Sequence, residues 1–273
     1  MAASQANRPT TTYILTPFTW LRDLLTRTFV YLGEIAILVA RSMRYIFSGA
    51  IDPADLIQQM ATIGVNSVPI AVLTTFSSAA VIALYFSNFL IQYGAADLTG
   101  AIVALSLGRE LAPVLVGVVV AARAGSAIAA EIGTMKVTEQ IDALRALAVS
   151  PIQYLIVPRL LAALIMMPVL CAVADFAGLI GGYLISVWQG VPSSSFPDAI
   201  RAYCEPRDFY LGMVKTVFFG LIIALVGCHQ GFETKGGATG VGRATTNAVV
   251  LSIVFIYITN FVLAYIMFGG RID

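Results

Sequence analysis

Five stretches of this chain are long and apolar enough to cross a lipid bilayer, and this leaves few folds open. A helical span needs about 20 consecutive, mostly apolar residues. The runs at 65–91, 102–132, 156–187, 209–232 and 244–268 all qualify. With 59% hydrophobic residues and 11% charged residues over 273 positions, no water-soluble domain could cover its own surface. A mean hydropathy of +0.87 says the same. The fold class is an all-α integral membrane protein.

Ahead of these runs, residues 18–47 carry Leu21, Leu24, Leu25, Phe29, Leu32 and Ile35 at helical spacing. They are interrupted by Arg22, Asp23, Arg27, Glu34, Arg41 and Arg44. A helix so mixed belongs in the membrane interface rather than across it. A sixth span through 29–40 would be short and would carry Glu34 into hydrocarbon. Residues 1–17 are read as a flexible N-terminus. They lack the features of a cleaved secretory signal, and a transit peptide is normally longer and richer in Ser and Arg.

Basic residues set the orientation. Placing the N-terminal helix, the segment 123–159 and the loop 235–243 on one side gathers Arg8, Arg22, Arg27, Arg41, Arg44, Arg123, Lys136, Arg145, Arg159, Lys235 and Arg243 there. The other side receives Arg109, Arg201, Arg207, Lys215 and Arg271. The first side is therefore cytoplasmic or stromal, and the C-terminus lies outside. A net charge of +1 gives no sign of nucleic-acid binding. Cys171, Cys204 and Cys228 are scattered, fitting neither a disulfide framework nor a zinc pattern, and no metal site is expected. His229 has no evident partner and reads as a helix-end residue.

Small residues recur every fourth position in two spans. Ala121, Gly125, Ala129 and Gly133 form one ladder, and Ala174, Gly178, Gly182 and Ser186 form another. Such faces let helices approach closely in lipid. They suit packing within the chain, a homodimer seam, or both. Ionisable residues inside spans are costly and mark functional candidates. Here they are Arg109 and Glu110, followed by the helix-bending Pro113, with Asp175 and Lys215. Two readings stand. They line a polar path for a substrate head group, or Arg109 pairs with Glu110 and Asp175 with Lys215 to fix helix register.

Between the second and third spans lies a charged island, 121–150. Val137, Ile141, Leu144 and Ala148 share a helical face, while Lys136, Glu139, Gln140, Asp142 and Arg145 cover the rest. With Thr138 as cap and Pro151 as stop, this gives a helix of about three turns over 135–148, charged side toward the cytosol. Solvated inter-span loops rarely keep such spacing, so the segment reads as a docking helix. A second motif, GGATGVGRATT at 236–246, supplies Gly240, Gly242, Arg243, Thr245 and Thr246 on a cytoplasmic loop. Its glycines have P-loop spacing, but Arg243 and Ala244 stand where lysine and Ser/Thr are required, and no core strand precedes it. A transporter driven by ATP would have to borrow its ATPase. There is also no nucleophile–base pair or carboxylate–metal cluster, so the chain does not read as an enzyme.

The run RELAPVLVGVVVAARAGSAIAAEIGTMKVTEQIDAL at 109–144 is followed by Ser150-Pro151, Pro158-Arg159, DFAGLIGG at 175–182, Lys215 with Phe219-Gly220, and GVGRATTNAVV at 240–250. Together these resemble the MlaE/YrbE permease family, the integral-membrane subunits of ABC transporters associated with MCE proteins. The resemblance covers nearly everything from 18 to 268.

It implies a single permease domain over 18–273, with an interfacial elbow helix and five transmembrane helices, working as a homodimer. It implies a cytoplasmic ABC ATPase subunit that carries the ATP and magnesium, so that this chain binds no cofactor. An MCE-domain substrate-binding protein is expected on the far side, with phospholipid or a related lipid as cargo. The segment 135–148 would be the coupling helix. The membrane would be the bacterial inner (plasma) membrane, or the plastid inner envelope for a plastid-encoded chain. The short N-terminus fits a bacterial, cyanobacterial or plastid-encoded chain better than an imported one. Two other classes compete. One is an autonomous proton-coupled secondary transporter using Glu110, Asp175 and Lys215 as a relay, and the other is a non-transporting membrane scaffold.

Overall fold

A computed structural model of the chain describes residues 17–47 and 52–269. The flexible segment expected at 1–17 lies outside them except for Pro17, as do Arg8 and Arg271 from the charge tally. The described residues are helical and contain no strand. In order come α1 (Pro17–Phe47), α2 (Pro53–Gln92), α3 (Ala96–Val137), α4 (Gln140–Ala146), α5 (Ile152–Trp188), α6 (Ser195–Tyr203), α7 (Pro206–Phe232) and α8 (Gly237–Phe268). The five helices long and apolar enough to cross a membrane are α2, α3, α5, α7 and α8.

Local signals explain most boundaries. Asp52 accepts from the Ala54 N–H at 2.9 Å, with Pro53 opening α2. Glu205 and Asp208 form a reciprocal capping box around Pro206, with the Glu205 N–H donating to Asp208 Oδ2 at 3.1 Å. α3 is 42 residues long, or about 60 Å at the helical rise. That is roughly twice the hydrocarbon thickness, so the helix overruns its expected 102–132 span at both ends.

α5 packs along α2 and α7, and α3 runs against α7 and α8. Large apolar side chains such as Leu73, Phe89, Phe176 and Phe261 point outward and are more than half exposed. In water this would be a fault; against lipid it is the expected surface. Several hydroxyls inside the spans return to their own helix, as when Ser67 Oγ donates to Ile63 O at 2.7 Å and Thr216 Oγ1 to Met213 O at 2.6 Å, while Ser87 Oγ crosses to Ser186 Oγ of α5 at 3.3 Å.

Both small-residue ladders are consumed within one chain, and all eight positions are buried. A Cβ on Gly227 of α7 would lie 3.1 Å from Gly125 O, so the α3 ladder seats α7. A Cβ on Gly178 would meet Leu107 of α3 at 2.7 Å and Thr75 of α2 at 3.1 Å, and one on Gly182 would meet Val103 at 2.8 Å. The α5 ladder therefore seats α2 and α3, and neither ladder is left for a second copy.

The tightest crossing of α3 and α7 is at Gly212, where an added Cβ would collide with Gly108 O. Gly212→Ala should destabilise the detergent-solubilised protein by about 1–3 kcal/mol. Gly242→Ala, with nothing within 4 Å, should leave stability within about 0.5 kcal/mol or raise it. Thermal unfolding of the two variants checks this, and equal effects would refute it.

Candidate functional site

Proline has no N–H, so Pro113 leaves the carbonyl of Arg109, four residues earlier, without its regular helical donor. The helix also widens here into a π-turn, Leu107–Leu111, with the Ala112 N–H reaching back to Leu107 O. Lys215 of α7 fills the gap: its Nζ donates to Arg109 O at 2.9 Å and to Glu110 Oε1 at 2.7 Å. Glu110 in turn accepts from Asn260 Nδ2 of α8 at 2.8 Å. One carboxylate thus ties three spans together. Arg109 turns the other way, to Asp208 at the start of α7, with its Nη2 2.9 Å from Oδ1. The Phe268 ring closes the cluster, 5.0 Å from Arg109 Cζ and 5.1 Å from Lys215 Nζ.

Both pairs of the register-fixing reading, Arg109 with Glu110 and Asp175 with Lys215, are therefore replaced by others. Arg109 and Glu110 cannot pair, because consecutive helical residues diverge around the axis and do not face each other. Lys215 cannot serve Asp175, because it is drawn to the open carbonyl of α3. Asp175 is buried on α5, with Cys171 Sγ donating to its Oδ2 at 3.7 Å and no hydrogen bond to Oδ1 among the described residues. Nor is the cluster wholly sealed. The Lys215 side chain is 0% exposed, but those of Glu110 and Arg109 are 42% and 40% exposed. A cavity of 360 Å³ beside them is lined by Arg109, Arg207, Asp208, Leu211, Met267 and Phe268.

The charged island departs from its expected shape. α3 continues through Lys136 to Val137, Glu139 takes a left-handed conformation (φ 61°), and α4 covers only Gln140–Ala146. Thr138 does not cap α4; its Oγ1 donates to Thr134 O at 2.8 Å, finishing α3. Pro151 does not stop the helix either. Ala148 is left-handed (φ 59°) and has already turned the chain, so Pro151 leads into α5. The apolar face survives as a single anchor, Ile141, fully buried in the main core with Leu144 against it. Glu139, Gln140, Asp142 and Arg145 are exposed and Lys136 is half-buried. Asp142 gathers Arg145 at 2.9 Å and Lys136 at 3.8 Å.

Gly240, Gly242, Arg243, Thr245 and Thr246 are not on a loop, since they form the first turns of α8. Thr245 and Thr246 donate to Gly242 O at 2.7 and 3.1 Å. The left-handed turn that frees this helix is made by Gly236 (φ 88°).

Three residues counted only as charge or helix end prove to be joints. Arg123 Nη1 donates to Thr62 O at 2.9 Å and Ser67 Oγ at 3.2 Å, bracing the tighter 3-10 turn Val65–Ser67 that interrupts α2. Arg159 is buried and joins α5 to Glu131 of α3 at 2.7 Å. His229 does have a partner: its Nε2 lies 2.9 Å from Glu34 Oε2 of α1, with Tyr31 edge-on at 4.8 Å. Periodicity could not reveal it, because Glu34 lies 195 residues away in sequence.

A family model described as Permease MlaE matches residues 56–266. The chain is 41% identical over 253 residues to a probable ABC transporter permease protein of Synechocystis sp., covering 92% of this chain and 96% of that protein. It is 44% identical over 214 residues to a probable ABC transporter permease protein of Rickettsia prowazekii, covering 78% and 83%. It is 36% identical over 241 residues to the chloroplastic protein Trigalactosyldiacylglycerol 1 of Arabidopsis thaliana, covering 88% and 69%.

The difference in burial across the Lys215–Glu110 pair predicts an asymmetry. Glu110→Leu strands a buried ammonium and should cost about 3 kcal/mol. Lys215→Met strands a carboxylate that is partly solvated and still held by Asn260, and should cost less. The double variant should recover most of the larger loss. A double-mutant cycle by unfolding in detergent checks this, and additive effects would contradict the pairing.

Proposed function

The chain belongs to the MlaE permease family, and from that premise we propose that it is the membrane subunit of an ABC transporter moving phospholipid or a related lipid between membranes. Relatives in two bacterial genera are named as probable ABC transporter permeases, and the Arabidopsis relative is named for a galactolipid. In this reading the chain makes and breaks no covalent bond. ATP and magnesium belong to a partner ATPase on the basic side, and an MCE-domain protein receives or delivers lipid on the opposite side. The membrane is the bacterial inner membrane or the plastid inner envelope.

The observation that carries the reading is the construction of α4. Glu139, Gln140, Asp142 and Arg145 face outward while Ile141 is fully buried in the main core and α4 packs against the end of α3. A push on the exposed face is thereby passed to the core through one buried side chain, as a coupling helix requires. A nucleotide shifts such an equilibrium only by interacting differently with the two states. The open side of the Arg109–Glu110 cluster is the proposed lipid path, with the cation beside an apolar wall suited to a phosphate head group. A second copy would dock on surfaces other than the two ladders, and α8 is the least enclosed span.

Glu139→Arg combined with Arg145→Glu should leave membrane insertion intact and reduce lipid-stimulated ATP hydrolysis by the reconstituted complex roughly tenfold. ATPase stimulation equal to that of the unaltered complex would contradict the assignment of α4.

A further inference from the structure

At the basic end, away from the Arg109–Glu110 cluster, a cavity of 620 Å³ opens where α1 crosses the ends of α5 and α7. Arg41 and Arg44, one turn apart on α1, line it together with Arg145 of α4. Arg145 is shared with Asp142, but Arg41 and Arg44 make no ion pair or hydrogen bond among the described residues. Of the acids on the wall, Glu34 is engaged by His229, and Glu233 stands at the end of α7. Apart from Tyr45 and Ser150, the rest of the lining is apolar, chiefly Leu38 of α1, Ile152 of α5 and Phe232 of α7.

The setting of α1 narrows what can fill this space. The helix also exposes Phe29, Val30, Ile37 and Met43, a surface that requires hydrocarbon beside it. Its arginines therefore sit where head groups lie, and a guanidinium fork matches phosphate oxygens. A free anion would use the arginines and leave the apolar wall bare.

We propose that this cavity holds one anionic phospholipid from the leaflet on the basic side, its phosphate between Arg41 and Arg44 and its acyl chains along Leu38, Ile152 and Phe232. Because Arg145 lines the same cavity, the head group links α1 to α4, the segment that contacts the outside. The site is separate from the proposed transport path and does not rest on the transport reading.

Native mass spectrometry of the full chain in detergent, with added phosphatidylglycerol or phosphatidylcholine, tests this. One phosphatidylglycerol should bind per chain, with about a thirtyfold preference over phosphatidylcholine at two arginines' worth of surface attraction. Arg41→Gln with Arg44→Gln should abolish the preference. Arg41→Lys with Arg44→Lys should keep part of it, and Lys235→Gln, on the same side, should keep all of it. Millimolar inorganic phosphate should not displace the lipid. Retention of the preference in the double glutamine variant, displacement by phosphate, or equal binding of phosphatidylcholine would each overturn the proposal.

Discussion

The carbonyl that Pro113 leaves open on α3 is the point around which the outer half of the bundle is arranged. Hydrocarbon offers no water to satisfy it, and Lys215 of α7 supplies a donor, its Nζ 2.9 Å from Arg109 O. A buried ammonium then needs a counter-charge, because its own desolvation costs several kcal/mol. Glu110 provides it and brings in Asn260 from α8. Pushed to the other side of the helix, Arg109 takes Asp208. A missing hydrogen on one proline thus orders three spans and leaves two charged side chains facing outward.

The two ends of the molecule are built differently as a result. At the outer end, ion pairs join spans directly and their exposed flanks form a polar face. At the basic end the joints are separate from one another rather than clustered: Arg159 pairs with Glu131, Glu34 meets His229, and Arg123 reaches the backbone carbonyl of Thr62. α4 hangs between left-handed residues Glu139 and Ala148, with Ile141 as its one buried anchor.

The spans and the fold class were legible because hydropathy over 20 residues is a strong, local signal. The ladders were legible as packing faces, but which helix they seat depends on contacts that spacing alone does not encode. Partner choice in the ion pairs was not legible. Lys215 lies 105 residues from Glu110, and Asp208, 99 residues from Arg109, lies just outside the expected span and was not a candidate. The break at Glu139 was hidden for another reason: a left-handed non-glycine residue leaves no compositional mark, and Thr138 looked like a cap. His229 gained its partner from a helix whose own reading rested on amphipathicity alone.

Under the proposed function, this chain is a membrane body moved by an engine bound from outside. The most direct test reconstitutes the purified chain in vesicles, alone and with a partner ABC ATPase subunit, and follows labelled phospholipid leaving the vesicle. The expected result is no transfer by the chain alone, with or without a proton gradient, and ATP-dependent transfer once the ATPase is present with an acceptor. Transfer driven by a proton gradient through the chain alone would contradict it.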